Sequence, residues 1–283
     1  MVANRGFAQG TVVTPAAIKP FLKWAGGKRW LTQQGLPLPE TYERLIEPFV
    51  GGAAVFFALR PERAVLADIN PELINLYEVI RDRPDQLRKV LEWYQRNHDS
   101  DCYYKTRARL FSSPLLRAAR MLYLNRTCWN GLYRVNRKGQ FNVPIGTKTA
   151  VIMLDDDFEA AGSLLQRANL RCQDFEATIS LAGEGDFLFV DPPYTVRHNM
   201  NGFIKYNENI FNWDDQVRLA TSLDQARRRG AAILVTNADH PSVRDLYAGR
   251  FSYQAVERHS VLSGPTHGRG RTTEALFLAN LGR

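Results

Sequence analysis

Residues 186–194 read Asp-Phe-Leu-Phe-Val-Asp-Pro-Pro-Tyr (DFLFVDPPY), and this stretch decides the predicted fold. Its apolar run predicts a strand buried on both faces, which is typical of a parallel α/β sheet. The run ends at Pro192 and Pro193, which fix the chain direction and supply no backbone N–H. Asp191, Pro192, Pro193 and Tyr194 therefore lie at the carboxyl end of a strand, where open α/β sheets place their active sites.

These four residues suit recognition of a planar amine. The carboxylate of Asp191 and the carbonyl of Pro192 can accept two N–H bonds, while Tyr194 stacks on a ring. We therefore predict Asp191, Pro192, Pro193 and Tyr194 as the catalytic residues. A plain strand-to-loop turn is the alternative, and it suits a bare Asp-Pro-Pro better than a sequence with an aromatic residue added.

The rest of the chain alternates strands and helices on both sides of this stretch. Apolar runs predict six further strands, at residues 43–49, 63–69, 170–175, 231–237, 251–261 and 273–280. Helices are predicted at 51–59, from Pro71, at 86–95, at 115–126 with one apolar face, and at 216–230 with Gly230 as its stop. Residues 133–143 predict a hairpin around Lys138-Gly139. We predict an α/β fold with an insertion between the two halves of its sheet.

Charge is concentrated in that insertion. The 283-residue chain has a net charge of +8, and ten Lys or Arg residues without one acid lie between Tyr103 and Lys148. The rest of the chain has 27 basic and 29 acidic residues and is nearly neutral. Aromatic residues interleave with these cations, a pattern that favours a nucleic-acid surface over a merely solvated face. We predict DNA contacts from Arg117, Arg120 and Arg126 of this window.

A glycine turn after the strand at 43–49 predicts a ligand site. Gly51 and Gly52 allow a ligand to approach backbone N–H groups at a helix start. Asp68 ends the next strand, about where an acid binds the ribose hydroxyls of nucleoside cofactors, although it could instead be a helix N-cap. Residues 22–29 do not form a phosphate-binding loop, because Leu22 and Arg29 stand at two of its defining positions.

Five motifs in a fixed order resemble one enzyme family. FLKWAGGK (21–28), EPFVGG (47–52), ADINPELI (67–74), NRTCWNGLYRVN with GQFNVP (125–136 and 139–144) and DPPY (191–194) resemble the Dam-type DNA adenine-N6 methyltransferases, including members of restriction systems that modify GATC. The resemblance runs from about Pro20 to the C-terminus. It implies an S-adenosylmethionine-dependent, Rossmann-like sheet with an inserted, mostly helical DNA-recognition domain that carries a hairpin.

The resemblance also implies roles for single residues. The cofactor-binding set that we predict is Trp24, Lys28, Phe49, Gly51, Asp68, Asp174, Phe175 and Asp191. Asp191 to Tyr194 would hold a flipped target adenine. The family's DNA-contact positions correspond to Lys23, Trp129, Asn130, Leu132, Arg134 and Pro144. This chain has Ala53 where the family's turn usually has a third glycine, and that methyl group would slightly crowd the methionine end of the cofactor.

The predicted function is methyl transfer to the N6 amine of adenine in duplex DNA, with GATC as the target. The alternatives are a different DNA target or an RNA methyltransferase. The predicted domains are a cofactor half at 18–76, a DNA-recognition insertion at 77–166 and a target-adenine half at 167–283. We expect a cytoplasmic monomer without disulfides, since no signal peptide or membrane span is evident, and without metal, since the histidines and the run Asp155-Asp156-Asp157 lack ligand spacing.

Overall fold

A computed structural model describes residues 18–136, 139–196, 211–259 and 271–282. The described chain forms two compact units. The first unit comprises residues up to Leu36 together with 50–172, and the second comprises residues 37–49 together with those from Gln173 onward. Seven strands and ten α-helices make up the described parts of a mixed α/β fold. None of the described helices is long and apolar enough to cross a membrane.

The first unit is mainly helical. Its elements are α1 (Arg29–Gln34), α2 (Ala54–Leu59), β2 (Ala64–Asp68), α3 (Pro71–Asp82), α4 (Pro84–Asn97), α5 (Ser100–Ala108), α6 (Pro114–Thr127), a 3₁₀ turn (Trp129–Gly131), α7 (Phe158–Leu165) and β3 (Ala168–Cys172). β2 and β3 pair in parallel. Pro71 begins α3, as predicted, and Asn70 caps the helix by accepting the N–H groups of Glu72 and Leu73.

The second unit holds the other five strands. Its elements are β1 (Arg44–Glu47), α8 (Phe175–Ile179), β4 (Asp186–Val190), α9 (Trp213–Arg228), β5 (Ala232–Ala238), α10 (Pro241–Tyr247), β6 (Ser252–His259) and β7 (Arg271–Ala279). The strands lie in the order β1–β4–β5–β7–β6. β1, β4 and β5 are parallel, whereas β7 runs antiparallel to both β5 and β6. The sheet is therefore mixed rather than wholly parallel.

β4 is the strand predicted to be buried on both faces, and all five of its residues are buried. Leu188 pairs with Ile46 of β1 on one side and Ile233 of β5 on the other. The other predicted strands are also present, with one offset. β3 ends at Cys172 instead of continuing to Phe175, because Asp174 accepts the Glu176 N–H and caps α8.

Within the predicted insertion at 77–166, α6 differs from its predicted pattern. Its C-terminal half is buried all round, from Met121 to Thr127, so α6 is not the one-faced amphipathic helix predicted. Among the described residues, the predicted hairpin has an antiparallel bridge between Val135 and Phe141, and the N–H groups of Asn142 and Asn136 donate to the carbonyls of Arg134 and Gln140 at 3.2 and 2.8 Å. Arg137 and Lys138, at its predicted tip, lie outside the described residues.

A buried ion pair accounts for the burial of Arg126. Its guanidinium donates to both carboxylate oxygens of Asp156 at 2.5 and 2.6 Å and to the carbonyls of Phe21 and Val151. The two side chains are 3% and 4% exposed. Within the run Asp155–Asp157, Asp156 is therefore buried, whereas Asp157 caps α7 by accepting the Ala160 N–H.

We expect Arg126→Met to lower the free energy of unfolding by about 3–5 kcal/mol, because it leaves Asp156 buried without its countercharge. Chemical denaturation measures the change. Arg117→Met is the matched control, since Arg117 pairs with Glu72 at side-chain exposures of 30% and 31% and a pair this accessible contributes only about 0–1 kcal/mol. Equal losses in the two variants would contradict the role of Arg126.

Candidate functional site

In the glycine turn at 24–28, the Lys28 side chain folds back onto the backbone of the turn. The Gly27 N–H donates to the Trp24 carbonyl at 3.2 Å, and Gly26 has a φ of +78°, which glycine adopts without steric cost. The Lys28 ammonium donates to the Gly26 carbonyl at 2.6 Å, and Lys28 is 2% exposed. The turn thus holds a buried cation close to Trp24, the other predicted cofactor residue of this segment.

The second glycine turn joins Asp68. The Gly51 N–H donates to one carboxylate oxygen of Asp68 at 3.3 Å, and the Asn70 N–H donates to the other at 3.0 Å. The Tyr77 hydroxyl donates to the Gly51 carbonyl at 2.6 Å. Asn70 caps α3, so Asp68 does not have the alternative role of helix cap. The Asp68 carboxylate instead accepts backbone N–H groups of the turn.

Burial dominates the electrostatics of Asp68. Desolvation raises the pKa of its carboxyl to about 6, against hydrogen bonds from the N–H groups of Asn70, Gly51 and Ile69 that lower it. A carboxyl group with a pKa near neutrality is characteristic of functional sites, although structural networks also produce such shifts.

In the second unit, two phenylalanines pack against the predicted residue Phe175. Phe49 stacks on it with ring centroids 5.3 Å apart, and Phe211 lies 5.7 Å from each of the two rings. The Arg218 guanidinium lies 4.5 Å over the Phe175 ring and pairs with Asp174 at 3.0 Å. The predicted residues Phe49 and Phe175 therefore belong to one aromatic cluster. Arg218 makes a cation–π contact with this cluster and pairs with the third predicted residue, Asp174.

At the carboxyl end of β4, neighbouring strands orient Asp191 and Tyr194. The Thr236 hydroxyl, on β5, donates to an Asp191 carboxylate oxygen at 2.6 Å. The Tyr194 hydroxyl donates to Glu274, on β7, at 2.9 Å. Burial and the negative charges of Asp191 and Glu274 hold the pKa of Tyr194 well above its usual range, so this phenol is a neutral donor.

Thr236 and Glu274, which contact the predicted catalytic residues Asp191 and Tyr194, were not predicted from the sequence. Thr236 stands near the end of the apolar run 231–237, so its place at a strand end was available as a signal. Glu274 gave no such signal, because its position follows from the antiparallel pairing of β7 with β5, where it lies opposite Ala238.

The predicted DNA-contact residues lie around the 128–134 segment. Trp129 is 54% exposed although it is large and apolar, and Asn130 has a φ of +55°. The Trp129 N–H donates to the Pro144 carbonyl at 2.9 Å, and the Arg134 guanidinium donates to the Asn142 side chain at 3.0 Å. Lys23, Arg134 and Pro144 are exposed, and Leu132 is half-buried. An exposed tryptophan on a braced turn supports a contact role over a core role.

Cations of the basic window differ in accessibility. Arg117 pairs with Glu72 at 2.6 Å, Lys105 pairs with Asp101 at 2.6 Å, and Arg126 is buried against Asp156. The partly buried Arg120 donates to the carbonyls of Thr106 and Arg107, and burial lowers its pKa. This placement favours structural roles for Arg117, Arg120 and Arg126 over the predicted contacts.

Arg134 and Lys148 of the window are exposed and have no carboxylate partner among the described residues. Nearby, partial desolvation of the Lys23 side chain and the charge of Lys148 lower the pKa of Lys23. These cations, together with the exposed Arg109, are accessible to a polyanion.

The thiols and the acidic residues provide no metal site within the described ranges. Cys102, Cys128 and Cys172 are all free. Burial raises the pKa of Cys128 to about 11, which makes its thiol a structural donor rather than a nucleophile.

Comparisons with known proteins agree on one family. The model of the D12 class N6 adenine-specific DNA methyltransferases matches residues 24–262. The type II methyltransferase M1.LlaDCHI of Lactococcus lactis subsp. cremoris is 36% identical, with 94% of this chain and 96% of that protein covered. The DNA adenine methylase of Vibrio cholerae serotype O1 is 35% identical over 92% and 95% of the two chains. That of Escherichia coli K12 is 31% identical over 87% and 90%.

The raised pKa of Asp68 predicts a pH dependence of stability. Because its folded pKa, about 6, lies above the ordinary value of 3.8, the fold favours the protonated form. The contribution of Asp68 is therefore fully present below about pH 4 and is lost as the pH rises to about 6. We expect Asp68→Asn to remove this decline in urea-denaturation curves taken from pH 4 to pH 7.

Asp85→Asn, at an exposed position in the first turn of α4, is the control for this measurement. Its stability should run parallel to that of the wild type over the same range. Parallel curves for Asp68→Asn as well would show that Asp68 does not titrate as inferred.

Proposed function

Because the chain belongs to the D12 class N6 adenine-specific DNA methyltransferases, we propose that it methylates the N6 amine of adenine in GATC, using S-adenosylmethionine and a flipped target base. The observation that carries this proposal is the carboxylate of Asp191, held by Thr236 at the carboxyl end of β4. That position is where open α/β sheets bind their ligands, and the four residues 191–194 supply acceptors and a ring for a planar amine.

The residues of the two glycine turns have chemistry that suits the cofactor, and so, considered separately, do those of the aromatic cluster. A Cβ on Gly51 would lie 2.8 Å from the Trp24 ring, so this turn needs glycine for its close packing. Asp68 offers an acceptor for ribose hydroxyls, and Phe49 and Phe175 offer rings suited to a purine. S-adenosylmethionine would supply an electrophilic methyl group on a sulfonium.

Asp191 and Pro192 activate the amine in this proposal. The lone pair of an exocyclic adenine amine is delocalised into the ring, which makes it a poor nucleophile. Two N–H bonds, to the Asp191 carboxylate and the Pro192 carbonyl, localise that lone pair on nitrogen and fix its direction. Thr236 holds the carboxylate in one orientation, and Glu274 fixes the Tyr194 ring that stacks on the base.

The target must leave the duplex, because a stacked base cannot present its amine to a protein-bound methyl donor. Trp129 is the residue that we propose to fill the space left behind, since its indole is exposed on the braced 128–134 segment. Arg134 is proposed to read a guanine, whose two major-groove acceptors match the guanidinium fork. The choice of GATC itself rests on relatives named DNA adenine methylases and on the matching residues of this segment.

Methylation mapping tests this function. Unmethylated plasmid is incubated with the enzyme and S-adenosylmethionine, and single-molecule sequencing locates the modified adenines. We expect modification at GATC on both strands. Modification at other adenine sites would overturn the proposed target but not the chemistry, and transfer of a labelled methyl group to RNA alone would overturn the DNA substrate.

Asp191→Ala in the same assay should lower the rate of methyl transfer by orders of magnitude, because the bonds that it loses act in the transition state. DNA affinity should stay within about three-fold of the wild type. Asp214→Ala, at an exposed position in the first turn of α9, is the control and should keep its rate. A rate above one tenth of wild type in Asp191→Ala would refute the role of this carboxylate.

The accessible cations predict the salt dependence of DNA binding. Each phosphate contact contributes a slope of about 0.9 in log affinity against log salt. Lys148→Ala should flatten the slope by about that amount, because Lys148 is exposed without a carboxylate partner in the described chain. Lys105→Ala is the matched control and should change it little, since Lys105 is already paired with Asp101. Equal effects of the two variants would mean that the window acts only as a diffuse charge.

A further inference from the structure

The turn that holds Trp24 packs directly against the 128–134 segment. The indole of Trp24 stacks on the Tyr133 ring with centroids 5.4 Å apart and an angle of 22° between the planes. Such offset stacking is worth more than the area that it buries, and it fixes both ring planes. Tyr133 stands next to Arg134, and neither the sequence reading nor the proposed chemistry gives Tyr133 a role.

A buried amide ties the backbones of the same two segments together. Asn125, which is fully buried, accepts the Lys23 N–H at 3.0 Å and donates to the carbonyls of Lys23 and Gly131 at 2.9 and 3.3 Å. Gly131 has a φ of +64°, and a Cβ there would lie 2.5 Å from the Lys23 side chain. The two segments therefore have little freedom to move independently.

The other side of Trp24 leads to Asp68. Its ring packs so closely on Gly51 that a Cβ would approach Cδ1 to 2.8 Å. Gly51 in turn donates its N–H to Asp68 and accepts the Tyr77 hydroxyl through its carbonyl. A continuous set of contacts thus runs from Tyr133 through Trp24 and Gly51 to Asp68, all within the first unit.

We propose that Tyr133 and Asn125 are positioning residues that couple DNA binding at the 128–134 segment to cofactor binding at Trp24, Gly51 and Asp68. This inference rests on the proposed function and adds a regulation to it. When DNA contacts the 128–134 segment, the stack and the Asn125 bonds transmit that constraint to the Trp24 indole and with it to the Gly51 turn. Cofactor then binds a turn that is already ordered, so the two ligands bind with positive cooperativity.

The test measures this coupling directly. The full chain is titrated with S-adenosylhomocysteine by calorimetry, with and without a saturating GATC duplex. We expect the duplex to raise wild-type affinity about ten-fold, in the usual range of coupling between sites. Tyr133→Phe keeps the stacked ring and should keep that factor, whereas Tyr133→Ala should reduce it to below two-fold.

Two further variants separate coupling from folding. Tyr133→Leu keeps apolar bulk without a ring, and its duplex-induced gain in S-adenosylhomocysteine affinity should also fall below two-fold. This variant tests the inference if Tyr133→Ala does not fold. Tyr104→Ala removes an exposed aromatic residue of the basic window that contacts Tyr103 and Arg107 instead, and should keep the ten-fold factor. In the wild type, S-adenosylhomocysteine must raise duplex affinity by the same factor, since coupling is reciprocal.

Each outcome is decisive. If the wild type binds the duplex and S-adenosylhomocysteine and neither ligand affects the affinity of the other, the inference is wrong and the proposed function stands. The inference also fails if Tyr133→Ala or Tyr133→Leu retains the ten-fold factor, or if Tyr133→Phe loses it. Absence of S-adenosylhomocysteine binding to the wild type would instead count against the proposed function.

Discussion

The guanidinium of Arg126 is the constraint on which the first unit depends. Arg126 lies buried in the last turn of α6. Its guanidinium donates hydrogen bonds to the Asp156 carboxylate and to the carbonyls of Phe21 and Val151. An arginine fork suits this task because its donors are fixed in one plane. Phe21 lies just before Lys23 and Trp24, and α6 leads into the 128–134 segment. The ion pair therefore fixes the starting points of both segments that Asn125 and Tyr133 then join.

Local sequence patterns predicted most of the fold, because the strands and helices follow from neighbouring residues. The apolar run of β4, Pro71 at the first position of α3 and the positive φ of Gly230 after α9 all act over a few residues. The resemblance to the Dam-type enzymes is confirmed by the family match across residues 24–262. The assigned roles of single residues stay predictions, although Asp191, Tyr194, Asp68 and Phe175 all lie in networks that suit those roles.

Contacts between distant residues could not be read from the chain. A count of charges along the sequence treats the window from Tyr103 to Lys148 as uncompensated, yet Glu72 and Asp156, both outside it, neutralise Arg117 and Arg126. Electrostatic compensation depends on distance in space, which a linear count ignores. For the same reason, the sequence did not indicate a role for Glu274, because only the pairing of β7 with β5 brings Glu274 next to Tyr194.

Ala53 shows how the structure changes the meaning of a sequence difference. The expectation that its methyl group crowds the cofactor stays a prediction, and in the structure Ala53 is fully buried. Its φ is +52°, in the left-handed region, where a Cβ costs about 1–2 kcal/mol. The glycine usual at this position in the family therefore relieves backbone strain at the start of α2. In this chain the buried methyl group, worth about 0.8 kcal/mol of burial, offsets part of that strain. The turn can thus keep its shape, and its N–H groups their direction, without the third glycine.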